Sequence, residues 1–378
     1  METPYLSLTE LNQSLAIRDL SDPAQNPADR THAMQELLAQ ILESLDAKWR
    51  IPRQLHRLSP LVSVRDNYDR LGYSPAATTR DARYTRQVSP TVMLRSHTSA
   101  GIPALLDSLA GTLEHYDQLH VLPGLVYRRD SVDRTHVGTP HQLDLWRLKS
   151  RGLLGLAELE EMMALVADSV LPGCQWRATP TRHPYTAHGH QLDVLVGGEW
   201  LELAECGLIA APILRAAALD PRRWCGLAMG LGLDRALMLR KGIDDIRLLR
   251  STEPRAQRQL EDLQPWQPIS VMPPMRRDLS IVCPPDVDAE TLGDLARAAL
   301  GADAEVLAEL EVLEVTAAAA LPAAAVARLG VQPNQSNALI RLTLQALDRT
   351  LTVAEANRLR DRVYVAVHQG PVLELIAG

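Results

Sequence analysis

Between two apolar segments the chain reads VYRRDSVDRTHVGTPHQLD over residues 126–144, and this run constrains the fold more than any other. Its flanks, 125–128 and 142–148, alternate apolar and polar residues. They read as two strands of an antiparallel hairpin, each buried on one face and joined by a long polar tip. Arg128, Arg129, Asp130, Asp133, His136 and His141 crowd into that tip. Guanidinium groups offer forked donors suited to phosphate, carboxylates suit an ammonium or a metal, and imidazoles add donors. A solvated hairpin tip can also carry such charges, so the choice turns on the rest of the chain.

A second anchor lies about ninety residues downstream, GLAMGLGLDR over 226–235, followed by the helix-like ALMLRKGIDDIRLLR. Three glycines where a strand passes into a helix allow a ligand close to the backbone, and a helix start beside Arg235 favours an anion. The spacing matches neither GxxxxGK[ST] nor GxGxxG, so neither a P-loop nor a Rossmann site fits.

Other segments fill in the architecture. Ser7 and Glu10 have capping-box spacing for a short helix, and Met34, Leu37, Leu38, Ile41, Leu42 and Leu45 recur at helical spacing in a second. A strand over 91–95 leads to His97, Thr98 and Ser99; a helix over 102–113 and a strand over 119–122 follow. Residues 153–171 form an amphipathic helix. Gly197-Gly198 joins strands 191–196 and 199–203 in a tight hairpin, with Glu202 and Glu205 on or just beyond the second strand. A carboxylate there could hold magnesium beside a triphosphate. His183, His188 and His190 lie close in sequence, but no cysteine or carboxylate stands at a spacing that would complete a metal site.

Composition narrows the class. A chain of 378 residues that is 46% hydrophobic and 22% charged suits a globular protein of two domains. No apolar run is long enough for a bilayer, so no membrane partner is expected. The acidic, polar N-terminus resembles neither a secretory signal nor a transit peptide, which points to the cytoplasm. Cys174, Cys206, Cys225 and Cys283 lack metal or disulfide spacing and read as reduced. A net charge of −7 argues against binding nucleic acid through overall charge and leaves a locally basic surface open.

Past a Pro- and Gln-rich stretch over 254–274, the order is strand 278–282, helix 289–300, strand 306–315, strand 338–347, helix 352–368 and strand 372–376. This βαββαβ order is ferredoxin-like.

RRDSVDRTH, HQ, GLAMGLGLDR and GIDDIRLLR together resemble the second and third signature motifs of class II aminoacyl-tRNA synthetases, as carried by phenylalanyl-tRNA synthetase catalytic subunits. MLRSHTSA, DNYDRL and HPYT are similar to three further elements of that family, in the same order. PPMRRDLSIV and RTLTVAEANRLRDRV are similar to its ferredoxin-fold anticodon-binding domain, an arrangement like the single-chain, organelle-type enzymes. The resemblance implies an α+β protein: an N-terminal helical segment (1–60), a class II catalytic domain with an antiparallel sheet flanked by helices (61–260), a linker (261–274) and a ferredoxin-like domain (275–378). It implies ATP, an aromatic amino acid and tRNA as partners, with Mg2+ accompanying ATP; a monomer and a homodimer both remain open.

Carried over residue by residue, the resemblance gives Arg128 the α-phosphate and Arg235 the terminal phosphates, with His136 near the phosphates. Gly232 and Pro140 border the nucleotide, and Glu202 is the magnesium ligand. Asp130 takes the substrate ammonium; His97, Ser99, Gln142 and Asp144 are further amino-acid contacts; Ala228 borders the far end of the side-chain pocket. Several positions depart from the family. His183 and Tyr185 stand where two phenylalanines are usual, Pro140 replaces an adenine-stacking phenylalanine, Ile102 replaces a glutamine, Ala187 an acid, and Glu205 a small residue. These changes leave open a paralogue that activates another amino acid or uses another acceptor, and a catalytically weak tRNA-binding or regulatory homologue. Glu205, if buried, must be paired or protonated; it either compensates for the shortened acid Asp130 in holding an ammonium or recognises a polar substrate group.

The chain also contains no phenylalanine. Drift in an Ala-, Leu- and Arg-rich composition is one reading, and completion of the chain when charged phenylalanine tRNA is scarce is the other. Synthesis relative to a phenylalanine-containing control, with phenylalanine charging blocked, separates them.

Overall fold

The computed structural model describes residues 5–26, 31–77, 80, 85–112, 115–128, 133–269, 273–347, 349–371 and 373. The chain separates into two units. One comprises Met1–Arg128, Thr139–Ile243 and Arg258–Trp266, and the other Arg129–Gly138, Asp244–Gln257 and Gln267–Gly378.

The first unit opens with α1 (Leu8–Leu15), α2 (Ala33–Trp49), β1 (Arg53–Leu55), β2 (Leu61–Ser63), α3 (Val64–Asn67), β3 (Val92–Leu94), α4 (Ile102–Ser108) and β4 (Asp117–Leu125). It continues with β5 (His141–Lys149), α5 (Leu156–Val170), β6 (Trp176–Pro180), β7 (Thr186–Val196), β8 (Glu199–Ile209), α6 (Ala211–Ala216), β9 (Cys225–Gly232) and α7 (Leu233–Lys241).

Seven of these strands form one sheet in the order β1-β4-β5-β9-β8-β7-β6. Only the β1–β4 pair is parallel; the remaining pairs are antiparallel. The β7–β8 hairpin turns on Gly197 and Gly198 at φ +60° and +91°, a left-handed pair that glycine adopts without steric cost. Both strands run further than sequence alternation indicates, because a buried face against α5 extends their pairing.

Helix α2 buries Met34, Leu37, Leu38, Ile41, Leu42 and Leu45, the positions expected from their spacing. It packs against α5 and α7. Helix α1 has its capping box: Glu10 N–H donates to Ser7 Oγ and Ser7 N–H to Glu10 Oε2. Leu6, Leu11 and Ile17 around it cover Leu94, Leu125 and Tyr127.

The expected hairpin is shifted. Residues 119–122 and Leu125 belong to one strand, β4, whose Leu125 faces His141 of β5. Arg128 lies beyond the strand end in an isolated bridge to Thr85. Gly124, at φ +149°, explains part of this: a Cβ there would fall 2.2 Å from the Arg95 guanidinium, which donates to Leu125 O at 2.8 Å.

The Pro- and Gln-rich stretch carries α8 (Pro254–Gln259), and residues 258–266 group with the first unit. There Lys241, buried, donates to the carbonyls of Asp262 and Gln264 at 2.7 and 2.6 Å.

In the second unit β10 (Met275–Cys283), α9 (Ala289–Leu300), β11 (Leu307–Ala317), α10 (Ala323–Leu329), β12 (Ser336–Leu344) and α11 (Val353–Val367) build an antiparallel sheet in the order β10-β12-β11. Leu279, Ile281, Ile340 and Leu342 meet Leu292, Ala296, Leu359 and Val363 in one core. Helix α10 was not expected, although Pro322 before it and Gly330 at φ +66° after it are helix boundary residues. The final strand expected over 372–376 lies outside the described residues.

Candidate active site

One face of the seven-stranded sheet is covered by α5 and α7, and the other carries the polar residues singled out above. Strand β5 supplies Gln142, Asp144 and Trp146 to that face by period-two alternation. Across from them β9 offers Gly232, Gly230 and Ala228, in register with Gln142, Asp144 and Trp146 respectively. Beyond β9, Glu205 and Gly207 of β8 are opposite Gly230 and Ala228. The face therefore has a floor nearly free of side chains between two rows of functional groups. At Gly230 the nearest atom to a would-be Cβ is Gln142 Nε2 at 3.5 Å, and at Gly232 it is Arg235 Cβ at 4.0 Å.

Asp144 is buried in the middle of this face. Its Oδ1 accepts from Ser99 Oγ at 2.7 Å and Trp146 Nε1 at 3.2 Å, and its Oδ2 accepts from Thr98 Oγ1. Burial outweighs these donors and shifts its pKa upward. Gln142 Oε1 accepts from the Thr98 N–H at 3.2 Å. Ser99 thus meets Asp144 directly, and Ala228 stands across from Trp146 on β9.

Aromatic rings wall the site. Tyr185 stacks on Trp146 at 5.7 Å, Tyr73 stacks on His97 at 5.6 Å, and His183 lies 5.9 Å from Tyr185. Tyr73 was not anticipated; a tyrosine in a polar, Pro-punctuated segment carries no signal of where it will point. Neither ring nitrogen of His97 makes a hydrogen bond of good geometry, and both are out of contact with water. Burial and the positive charge of Arg128 bring its pKa down to about 4, so the ring is neutral near pH 7.

Glu205 is not buried. Its side chain is 38% exposed, and Oε1 lies 3.1 Å from His183 Nε2, a charge contact rather than an aligned hydrogen bond.

Arg128 follows Leu125, which faces His141, and Arg235 follows Gly232, which faces Gln142. Both arginines therefore leave the sheet at the same end of β5. Arg235 sits in the first turn of α7, whose start at Gly232 has no side-chain cap. His141 serves this geometry as a brace. Its Nδ1 donates to Asp234 at 3.0 Å while its Nε2 accepts from the Leu20 N–H at 2.9 Å, which fixes the neutral tautomer and ties β5 to α7. Pro140 accepts from Val126 N–H at 2.9 Å through its carbonyl.

Glu202 is open to solvent and cross-strand from Asp193. Burial of part of the group, then the Glu205 charge, raises its pKa, while Arg235 opposes the rise. A carboxylate pressed by like charge suits a cation. Among the described residues no three acids, histidines or cysteines are grouped to hold a metal, so Glu202 fits as a single ligand beside phosphate, not as part of a preformed cage.

His136 belongs to the segment that groups with the second unit. There its Nδ1 meets Asp133 Oδ2 at 2.7 Å, and Asp133 Oδ1 accepts from the His136 and Thr135 N–H groups at 2.9 and 2.6 Å. Burial alone would raise Asp133, but these donors prevail and hold it well below the usual carboxylate range. Asp130 lies outside the described residues.

An α+β core with a largely antiparallel sheet, helices on one face and two arginines at one end of a glycine-floored site has the organisation of a class II aminoacyl-tRNA synthetase. A family model described as "tRNA synthetases class II core domain (F)" matches residues 25–260, and the chain belongs to this family. It is 32% identical over 188 residues to the phenylalanine--tRNA ligase alpha subunit of Prochlorococcus marinus (strain MIT 9313), covering 50% of this chain and 54% of that subunit. The mitochondrial phenylalanine--tRNA ligase of Saccharomyces cerevisiae is 25% identical over 87% of this chain and 84% of its own length. A probable mitochondrial phenylalanine--tRNA ligase of Drosophila melanogaster is 24% identical, over 81% and 75%. The chain thus spans about half of the alpha subunit and most of the two mitochondrial relatives.

Proposed function

We propose that this chain activates phenylalanine with ATP as an aminoacyl-adenylate and passes the acyl group to tRNA. The supporting observation is the placement of Arg128 and Arg235 at one end of β5, over a floor kept open by Gly230 and Gly232. The amino-acid carboxylate attacks the α-phosphorus, pyrophosphate leaves, and a tRNA hydroxyl then attacks the acyl carbon to release AMP. Charge spreads over the phosphoryl oxygens as the first bond forms, and two guanidinium groups are suited to stabilise it. His97, Ser99, Gln142 and Asp144 line the amino-acid end, with Tyr185, His183 and Ala228 around the side chain. Glu202 would hold magnesium, which supplies positive charge to the ATP phosphates. Pro140 borders the nucleotide in this reading.

The second unit, whose described elements run βαβαβα with α10 inserted between its last two strands, is the anticodon-binding module in this reading. Among the described residues no helix is long and apolar enough to cross a membrane. Two of the relatives carry mitochondrial names.

Activation of a different amino acid is the second reading, favoured by one observation: a carboxylate and an imidazole, Glu205 and His183, face each other at the pocket. Amino-acid-dependent ATP–pyrophosphate exchange across a panel, followed by acylation of total tRNA, tests both. Phenylalanine giving the highest exchange and charging supports the first. A different preferred amino acid supports the second, and absence of exchange removes both.

A further inference from the structure

An amino-acid site needs a carboxylate able to receive the substrate ammonium, and the sheet face presents two in one row. Asp144 faces Gly230, and Gly230 faces Glu205. Strands spaced about 4.8 Å apart put the two acids roughly 10 Å apart at their Cα atoms, with only glycine between.

The two differ in what they still have to offer. Both oxygens of Asp144 are engaged, by Ser99 and Trp146 on one side and Thr98 on the other, in a buried pocket that disfavours its charge. Glu205 is part-exposed; His183 faces its Oε1, and no hydrogen bond among the described residues uses Oε2. His183, which it contacts, lies 5.9 Å from the Tyr185 ring, so Glu205 stands beside the aromatic wall. Gly230 leaves room above the sheet for a small cation between the acid and the rings.

We propose that Glu205, the less engaged of the two carboxylates on this face, holds the substrate ammonium over the backbone of Gly230, taking the role that the family resemblance gives Asp130. Asp144 acts through Thr98 and Ser99 as a positioning residue, and His183 orients Glu205. This rests on the amino-acid-activating reading above. It also gives the pocket its substrate class: an aromatic amino acid whose ammonium lies towards β8.

The test uses the full chain and two probes. Phenylalaninol carries the ammonium, and 3-phenylpropan-1-ol lacks it; binding of each is followed by intrinsic tryptophan fluorescence. Wild type should bind phenylalaninol the more tightly. Glu205→Gln should weaken phenylalaninol by about 10- to 100-fold, as expected for one lost charge-assisted hydrogen bond, and leave 3-phenylpropan-1-ol unchanged. Glu205→Asp should recover part of the loss. In exchange assays Glu205→Gln should raise KM for the amino acid while KM for ATP stays within about twofold.

Unchanged phenylalaninol binding by Glu205→Gln overturns the proposal. An equal loss for both probes does so too, since it marks a structural role. A cost confined to tyrosine that spares phenylalanine would make Glu205 a reader of ring substituents and overturns it as well. If wild type itself prefers neither probe and exchanges with no amino acid, the amino-acid-activating reading fails and the proposal with it.

Discussion

The two antiparallel sheets of this chain treat burial in opposite ways. In the three-stranded sheet of the second unit, α9 and α11 close one face with leucine, isoleucine and valine, and Val282, Leu329 and Val331 cluster separately. The seven-stranded sheet buries Asp144, Thr98, Ser99, His141 and Asp234 on its two faces and leaves glycines where side chains would pack. Buried polar groups add stability only when fully satisfied, so a sheet that keeps several, with an unsatisfied His97 beside them, has given up packing for chemistry. A sheet closed by apolar layers serves by holding its shape.

That contrast can be broken most directly at the phosphate end. Arg235→Ala should lower ATP–pyrophosphate exchange by about 10²- to 10³-fold with circular dichroism and Tm unchanged. A large fall in Tm would make Arg235 a structural residue and erase the difference between the sheets. Ile340→Ala, in the closed sheet, should do the reverse. Loss of a fully buried isoleucine should cost about 2–5 kcal/mol in denaturant unfolding of the second unit, while exchange by folded protein stays near wild type.

Acid should sharpen the contrast. His97 and His120 have pKa values brought down to about 4 by burial, with Arg128 adding to the shift at His97 and His56 at His120. From an unfolded value of 6.5 the unfolded chain takes up protons first as pH falls. Stability is therefore present above pH 6.5 and is lost progressively towards pH 4, by up to about 3 kcal/mol for each group. Thermal melts of the first unit between pH 7 and 4 should show this, and His120→Gln should flatten the slope; an unchanged slope counts against it. The smallest effect is at a helix end. Thr352→Ala removes the cap that accepts from Glu355 N–H at 3.2 Å and should cost about 1 kcal/mol, with no change in exchange.

Much of the architecture was legible from local pattern. The spacing of apolar residues located α2 and α5, the Gly197-Gly198 pair located the β7–β8 turn, and the glycines of 226–232 located the passage from β9 into α7. Such features depend on neighbours within a turn or two of chain, so composition and period reveal them. The hairpin was displaced because Arg95, thirty residues from Leu125, sets where β4 ends. His141 read as a polar donor of the tip and is instead a buried brace, because its partners Leu20 and Asp234 are distant in sequence.

By itself, then, the amino-acid sequence determined most of the elements and the family. Tertiary structure decided how those residues divide the work. Which carboxylate is consumed by Thr98, Ser99 and Trp146, and which stands open across Gly230, follows from the register of β5, β9 and β8. That register pairs Asp144 with Gly230, 86 residues on, and Gly230 with Glu205, 25 residues back, and strand pairing over such distances is fixed by packing of the whole sheet, not by any local signal.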